Sequence, residues 1–405
     1  MVGAVTRMIL IDCGAAETRA AFVENGVATH FWFGPARGDE SLPTAPAAGD
    51  VYAGRVASLA KSLNAAFVDI GAGRAAFLPL GKQEKSPVEG ARAVFIVRRP
   101  PIDDKGAVIS ADWRDGLSPA AVAAFENRAR DGFIGALGEP ADAAIAALNL
   151  RGPEFSSGDV AVIVNDPYAK RLIENYGVPS VALSERPFAE IEVEELIEQS
   201  LAPEISLAGG ARLIIQETAA GAMIDVDTAT ASGGARLNDN TNNAGLYRLL
   251  VELSRRRLGG RIVVDFLPPS SAAARGALAK RLEAGLKSFS KARVGDLRKD
   301  GLADFTLPRR QRSLLDEASE PAGEGMLRRG RRLTLDWSAK AAIRSLEDAL
   351  RSGASLKPRL LAGNEIAAYL RDERAQWPAR LAAKFGARFE IAEGEGMGAR
   401  AYEIA

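Results

Sequence analysis

The chain has 405 residues, more than one ordinary core holds, and its 52 basic residues are balanced by 52 acidic ones. Zero net charge removes any whole-chain argument for a polyanionic partner, and the lone cysteine, Cys13, excludes an internal disulfide. With His30 as the one histidine, imidazole–thiolate zinc sites and histidine-based triads are nearly excluded, which leaves acid–base work to carboxylates, Lys, Tyr or a bound cation.

Residues 6–12 and 19–24 read as strands joined by a turn at Gly14-Ala15-Ala16-Glu17. Cys13 closely follows the apolar run Met8-Ile9-Leu10-Ile11, which predicts a buried structural thiol. That run is short and is followed by Asp12 and Glu17, unlike a secretory signal. No segment reaches the ~20 apolar residues of a bilayer span, so a cytoplasmic protein is expected. His30 lies beside Phe31, Trp32 and Phe33, where a packed or surface role is expected.

From Asp50 to about Asp112, short strands alternate with glycine turns in the runs VYAGRVASLA, NAAFVDIG, AAFLPL, ARAVFIVRR and GAVISAD. Five short strands at this spacing predict a small barrel. Residues 118–149 are Ala-rich and helical in character, broken at Gly138-Glu139-Pro140. A buried strand at 160–164, a helix from 167 to 176 and a helical stretch at 190–200 follow.

The centre is the most regular part. ARLIIQE and AMIDVD form two strands around a tight turn at 218–221, a helix is predicted over 243–258 and ended by Gly259-Gly260, RIVVDF is a buried strand, and 272–289 is a second helix. Residues 316–325, DEASEPAGEG, read as a linker, and 335–405 as a small α/β appendage. Basic clusters stand at Arg255–Arg257, at Arg309, Arg310 and Arg312, and at Arg328, Arg329, Arg331 and Arg332; each is a solvated face or a polyanion contact.

Two strand-end acids carry the chemistry. Side chains alternate along a strand, so Asp225 and Asp227 share a face, and Asp265 ends the apolar run 262–264. If the two strands are neighbours, the carboxylates meet and repel unless protonated or bridged by a cation. Mg²⁺ suits such a pair because it is hard, prefers oxygen and takes one or two protein carboxylates. The competing reading is that each Asp caps a turn or a helix. The pattern alone fits a phosphatase or a DNA nuclease equally well.

The segments LIIQETAAGAMIDVDT and NDNTNNAGLYRLLVELSRRRLGGRIVVDF resemble the ribonuclease E/G family of bacterial endoribonucleases. Asn240, Thr241 and Asn242 match that family's Asn-Thr-Asn motif, and Asp225 and Asp265 stand where its two metal-binding aspartates stand. The family usually has Asn at the place of Asp227. GDVYAGRVASLAKSLNAAFVDIGAGRAAFLPL resembles its S1 barrel, an OB-type fold, with Phe67, Phe77 and Lys105 at RNA-contacting positions; barrel core is the alternative for the two phenylalanines. Ala16-Glu17-Thr18-Arg19 matches the opening strands, and RRQRSL at 309–314 the basic segment that supplies Arg310 and Arg312.

The resemblance implies an α/β multidomain chain: an RNase H-like and DNase I-like α/β catalytic core with an inserted S1 (OB-type) β-barrel. The expected divisions are an N-terminal RNase H-like part at 1–44, the S1 barrel at 45–113, a reduced helical segment in place of a 5′ sensor at 114–158, the rest of the RNase H-like domain at 159–205, a DNase I-like catalytic domain at 206–315, and a linker with a C-terminal α/β domain at 316–405. It implies Mg²⁺-dependent hydrolysis of single-stranded RNA to 5′-phosphate and 3′-hydroxyl ends, with Asp225 and Asp265 as catalytic residues and metal ligands; Asp227, the extra acid, is expected as a third metal ligand or as a base beside the metal. Two departures stand out: no Arg-Thr-Ala sensor segment in 114–160, and no Cys-Pro-x-Cys zinc-link, with Gly323–Leu333 in its place. A monomer, or a dimer not linked by zinc, without 5′-monophosphate sensing is therefore expected. The rival reading is an RNA chaperone or ribosome-assembly factor that has lost cleavage.

Overall fold

The computed structural model describes every residue except 1–5, 38–45, 48, 82–86, 103–104, 115–117, 139–141, 152–159, 219, 235, 323–329, 354 and 373–375. In chain order, strands β1 (Arg7–Cys13), β2 (Glu17–Glu24) and β3 (Val27–Pro35) are followed by β4 (Val51–Ala60), β5 (Ala65–Asp69), β6 (Ala76–Pro79), β7 (Arg92–Arg99) and β8 (Val108–Ser110). Helix α1 (Pro119–Arg130), strand β9 (Gly135–Ala136), α2 (Ala143–Ala147), β10 (Ala161–Val164), α3 (Pro167–Asn175), β11 (Val181–Leu183) and α4 (Val193–Leu201) come next. The central part holds β12 (Glu204–Ser206), β13 (Arg212–Glu217), β14 (Gly221–Asp227), α5 (Leu237–Arg255), β15 (Gly260–Asp265), α6 (Ala272–Leu286), β16 (Arg293–Val294) and β17 (Leu302–Leu307). Helix α7 (Leu314–Ala318), β18 (Ser319–Pro321), β19 (Arg331–Leu333), α8 (Leu335–Ser352), β20 (Arg359–Ala362), α9 (Asn364–Leu370), α10 (Trp377–Phe385), β21 (Glu390–Glu393) and β22 (Tyr402–Ile404) complete the order.

Two compact units form: one spans Leu42–Ala141 with Arg310–Arg312, the other the remainder. In the smaller unit, β4, β5, β6, β8 and β7 pair in a ring that closes on β4, and β9 adds to β4. Ala66, Val68, Ala76, Leu78, Val97 and Ile109 fill the barrel, alternating with outward residues as the pleat requires.

The larger unit contains a five-stranded sheet ordered β11-β10-β1-β2-β3, in which β2 alone runs against its neighbours. Both faces are covered: Ile9, Ile11, Phe22 and Val162 pack with Ala144 and Ile173, and Leu10, Val23 and Phe31 with Val193 and Ile197. A strand covered on both faces reads as the unbroken apolar run seen in β1. Burial pushes the Cys13 thiol well above its ordinary pKa, as suits an inert structural residue.

Three sequence expectations need correction. Residues 316–321 are not linker but the end of α7 and strand β18; 323–325 lie outside the described residues. Helix α5 begins six residues before the predicted start, so the Asn-Thr-Asn motif is helical. Arg255 and Arg256 are neither a solvated face nor a polyanion contact. Both are buried around the fully buried Glu252, with Arg256 Nε 2.8 Å from Glu252 Oε2 and Arg255 Nε donating to Ala28 O at 2.6 Å. Arg331 and Arg332 pair with Asp316 and Glu320, while Arg328 and Arg329 lie outside the described residues.

The appendage grips the turn between β1 and β2. Glu347 of α8 accepts from Ala15 N at 3.1 Å, Arg380 of α10 donates to Ala15 O at 2.7 Å, and Lys384 donates to Cys13 O. Ala15 itself belongs to the apolar core of α8, α9 and α10. Beside the turn, Arg19 is buried and bonded to Asp12 at 2.6 Å, and Asn165 donates to Asp12 at 2.5 Å.

Burial by itself would push the Asp12 carboxyl up, but Arg19, with Arg351 and Lys384, holds it below the ordinary carboxylate range. Its contribution is therefore complete above the unfolded-state pKa of about 3.9 and fades as pH falls through the lower folded value. Asp12→Asn is expected to lower stability at pH 7 and to cost progressively less as pH falls below about 3.9, as measured by urea unfolding across that range. Glu252→Ala strands buried arginines and is expected to cost ~3–5 kcal/mol in the same assay at pH 7.

Candidate active site

The second sheet of the larger unit runs β12-β13-β14-β15-β17-β16. One face carries Leu213, Ile215, Ile224, Val226, Ile262, Val264 and Phe305, packed against Leu246, Leu249 and Leu253 of α5 and Leu278 and Leu282 of α6. The period of two sends Ile214, Met223, Asp225, Asp227, Val263 and Asp265 to the other face. Close packing needs glycine at two places here. A Cβ on Gly221 would stand 1.7 Å from Arg261 O, and one on Gly245 would meet Val226 at 2.9 Å. These contacts seat β14 against β15 and α5 against β14.

Strands β14 and β15 are parallel neighbours, and their register pairs Asp225 with Asp265. Adjacent strands lie about 4.8 Å apart, so the two acids stand side by side on one face. Both residues are exposed. Partial burial, then the charges of Asp227 and Asp265, raise the Asp225 carboxyl above its ordinary pKa. Among the described residues, neither Asp225 nor Asp265 accepts a hydrogen bond or an ion pair. Unneutralised, like-charged oxygen donors in register suit a hard cation.

Asp227 behaves differently. It is held below the ordinary carboxylate range by the Ala229 backbone N–H and by Arg212. No group of three or more acids, histidines or cysteines among the described residues is arranged to hold a metal. The structure thus brings Asp225 and Asp265 together and turns Asp227 to another partner.

The Asn-Thr-Asn motif sits in the first turns of α5. Buried Asn242 donates to Leu267 O at 2.8 Å and accepts from Leu267 N at 2.9 Å, clasping the backbone two residues beyond Asp265. Asn238 donates to Pro268 O at 3.1 Å, and Asp239 accepts from Ser270 N at 3.1 Å. Asn242 and Asp239 therefore fix the segment leaving β15, a role that the motif's spacing alone did not specify.

In the barrel unit, Phe67 and Phe77 pair across β5 and β6, with ring centroids 5.9 Å apart in an edge-on arrangement. Their neighbours Ala66, Val68, Ala76 and Leu78 point inward, so both rings lie on the outer face, half-buried. The barrel-core alternative is thereby overturned for both. Lys105 is exposed in a tight bridge with Ile102, just before β8, and Val108 at the start of β8 pairs with Phe77. Arg310 and Arg312 are exposed and cluster with the barrel unit.

Residues 165–312 match the Ribonuclease E/G family. Ribonuclease G of Haemophilus influenzae is 31% identical over 144 residues, 34% of this chain and 29% of that protein. Ribonuclease G of Escherichia coli K12 is 31% identical over 127 residues, 30% of this chain and 26% of that protein. Ribonuclease E of the same strain is 25% identical over 195 residues, 46% of this chain and 18% of that protein. The matches thus span less than a third of the length of these relatives. The stretch that matches the Ribonuclease E/G family, residues 165–312, is the one that carries Asp225, Asp227, Asp265 and the Asn-Thr-Asn clasp.

Proposed function

We propose that the chain is an endoribonuclease that hydrolyses single-stranded RNA at a Mg²⁺ ion held by Asp225 and Asp265. The observation that carries this reading is the parallel register that sets the two carboxylates side by side, without hydrogen-bond donors among the described residues, inside the family-matched stretch. When bound, such an ion offsets phosphate charge and lowers the pKa of water at neutral pH. The chain's own residues divide the remaining work. Asp225 and Asp265 supply the oxygen donors, and Asn242 with Asp239 keeps the segment after Asp265 in place. The products are 5′-phosphate and 3′-hydroxyl ends, and the process is RNA processing or decay.

On this reading the first sheet, with its β11-β10-β1-β2-β3 order, is the RNase H-like part, and the second sheet is the DNase I-like catalytic part. The closed barrel is the S1 domain. Its outward Phe67 and Phe77 offer ring surface for stacking bases, with Lys105 supplying charge toward the backbone. Arg310 and Arg312 contact phosphates. The chain acts without 5′-monophosphate sensing and without a zinc-linked subunit contact. Among the described residues no helix is long and apolar enough to cross a membrane.

Labelled single-stranded RNA and DNA, with and without Mg²⁺, test the proposal. Asp225→Asn and Asp265→Asn are each expected to lower RNA cleavage about 100-fold or more, the equivalent of a few kcal/mol of transition-state stabilisation. Cleavage that survives the double substitution would sink the assignment. RNA binding without any wild-type cleavage would point instead to a chaperone. Matched 5′-monophosphate and 5′-triphosphate RNAs are expected to be cut at equal rates, and a strong monophosphate preference overturns that part.

A further inference from the structure

Asp227 lies on the same sheet face as Asp225, one pleat nearer the end of β14, yet its oxygens are occupied. Oδ2 accepts from Arg212 Nε at 2.8 Å and Nη2 at 2.7 Å. Oδ1 accepts from Ala229 N at 2.9 Å, within a turn whose Ala229 adopts a left-handed φ of 45°. Arg212 stands directly opposite Asp227 on β13, so strand pairing itself delivers the guanidinium. A second acid, Glu204 of β12, lies 3.3 Å from Arg212 Nη1 and steadies its fork. One pleat away, Asp225 faces Ile214; among the described residues it accepts no hydrogen bond, and Arg212 acts on it only through space.

We infer that Arg212 is a positioning residue that holds Asp227 away from the cation and cancels its charge, which leaves a site of two carboxylates rather than three. The inference rests on the proposal that Asp225 and Asp265 bind a divalent cation. Charge explains why the pairing matters. A divalent ion on two carboxylates is formally neutral, so a phosphodiester approaches without net repulsion. A third free carboxylate would bind the ion more tightly and leave the loaded site at −1, which opposes an anionic substrate.

The test is a double-mutant cycle between Arg212 and Asp227, read by calorimetric titration of Mg²⁺ alone and by KM for a single-stranded RNA. Arg212→Gln is expected to tighten Mg²⁺ binding about 5- to 10-fold and to raise KM several-fold, with both effects lost in an Asp227→Asn background. Asp225→Asn is the reference arm. If it abolishes Mg²⁺ binding while Arg212→Gln leaves affinity unchanged or weaker, this inference fails and the cation assignment stands. If Arg212→Gln acts equally with Asp227 present or replaced, the inference again fails alone. If Asp225→Asn leaves Mg²⁺ binding intact, the cation assignment falls and takes this inference with it.

Discussion

Everything at the candidate site depends on the parallel pairing of β14 with β15. Two strands adjacent in a parallel sheet need a crossover, and α5 supplies it. That helix buries Leu246, Leu249 and Leu253 on the apolar face of the sheet while its first turns reach the segment after Asp265. One element thus sets both the register and the exit path. A slip of one residue would send Asp265 into the core and Val264 to solvent. The apolar face therefore enforces the position of the acids on the opposite face, at no cost in burying a charge.

Elsewhere the larger unit does bury charge, and always in networks. Glu252 sits among Arg248, Arg255 and Arg256, and Arg256 also donates to Gln199 O and Ala202 O at the end of α4. Arg19 meets Asp12, Glu17 and Glu194. Desolvated charges of this kind are tolerated when each has several partners, and they tie together elements far apart in sequence. The exposed acids Asp225 and Asp265 are the contrast: near each other, open to solvent, and in no ion pair among the described residues.

Much of this was legible in the sequence. Strand runs of period two place Asp225 and Asp265 at strand ends, and the barrel strands follow the five apolar runs of 51–110; the helix between the two acids ends at Arg255, ahead of its predicted end at 258, with Arg257 rather than a glycine in the left-handed conformation after it. The start of α5 was not legible, because Asn238, Asp239, Asn240 and Asn242 are poor helix formers. The side chains of Asn238, Asp239 and Asn242 bond to a segment 25 to 31 residues downstream, which no local pattern reveals. The outward placement of Phe67 and Phe77 was available in the alternation with Ala66, Val68, Ala76 and Leu78. The fate of Asp227 was not, since its partner Arg212 becomes visible only once the antiparallel register is known. Nor does a run of three arginines show that two of them are interior; the Glu252–Arg256 spacing of four was the one hint.

The grip of α8 and α10 on the turn after β1 carries a consequence for synthesis. A nascent chain emerges from its N-terminus, and β1 and β2 appear long before Arg344, Glu347, Arg380 and Lys384. Until those side chains leave the ribosome, Glu17 lacks Arg344 and the carbonyl of Ala15 lacks its donor. Strands β1 and β2 are thus locked only after α8 and α10 have been made. The barrel, whose strands span 51–110, is available to close during translation while the opening sheet waits.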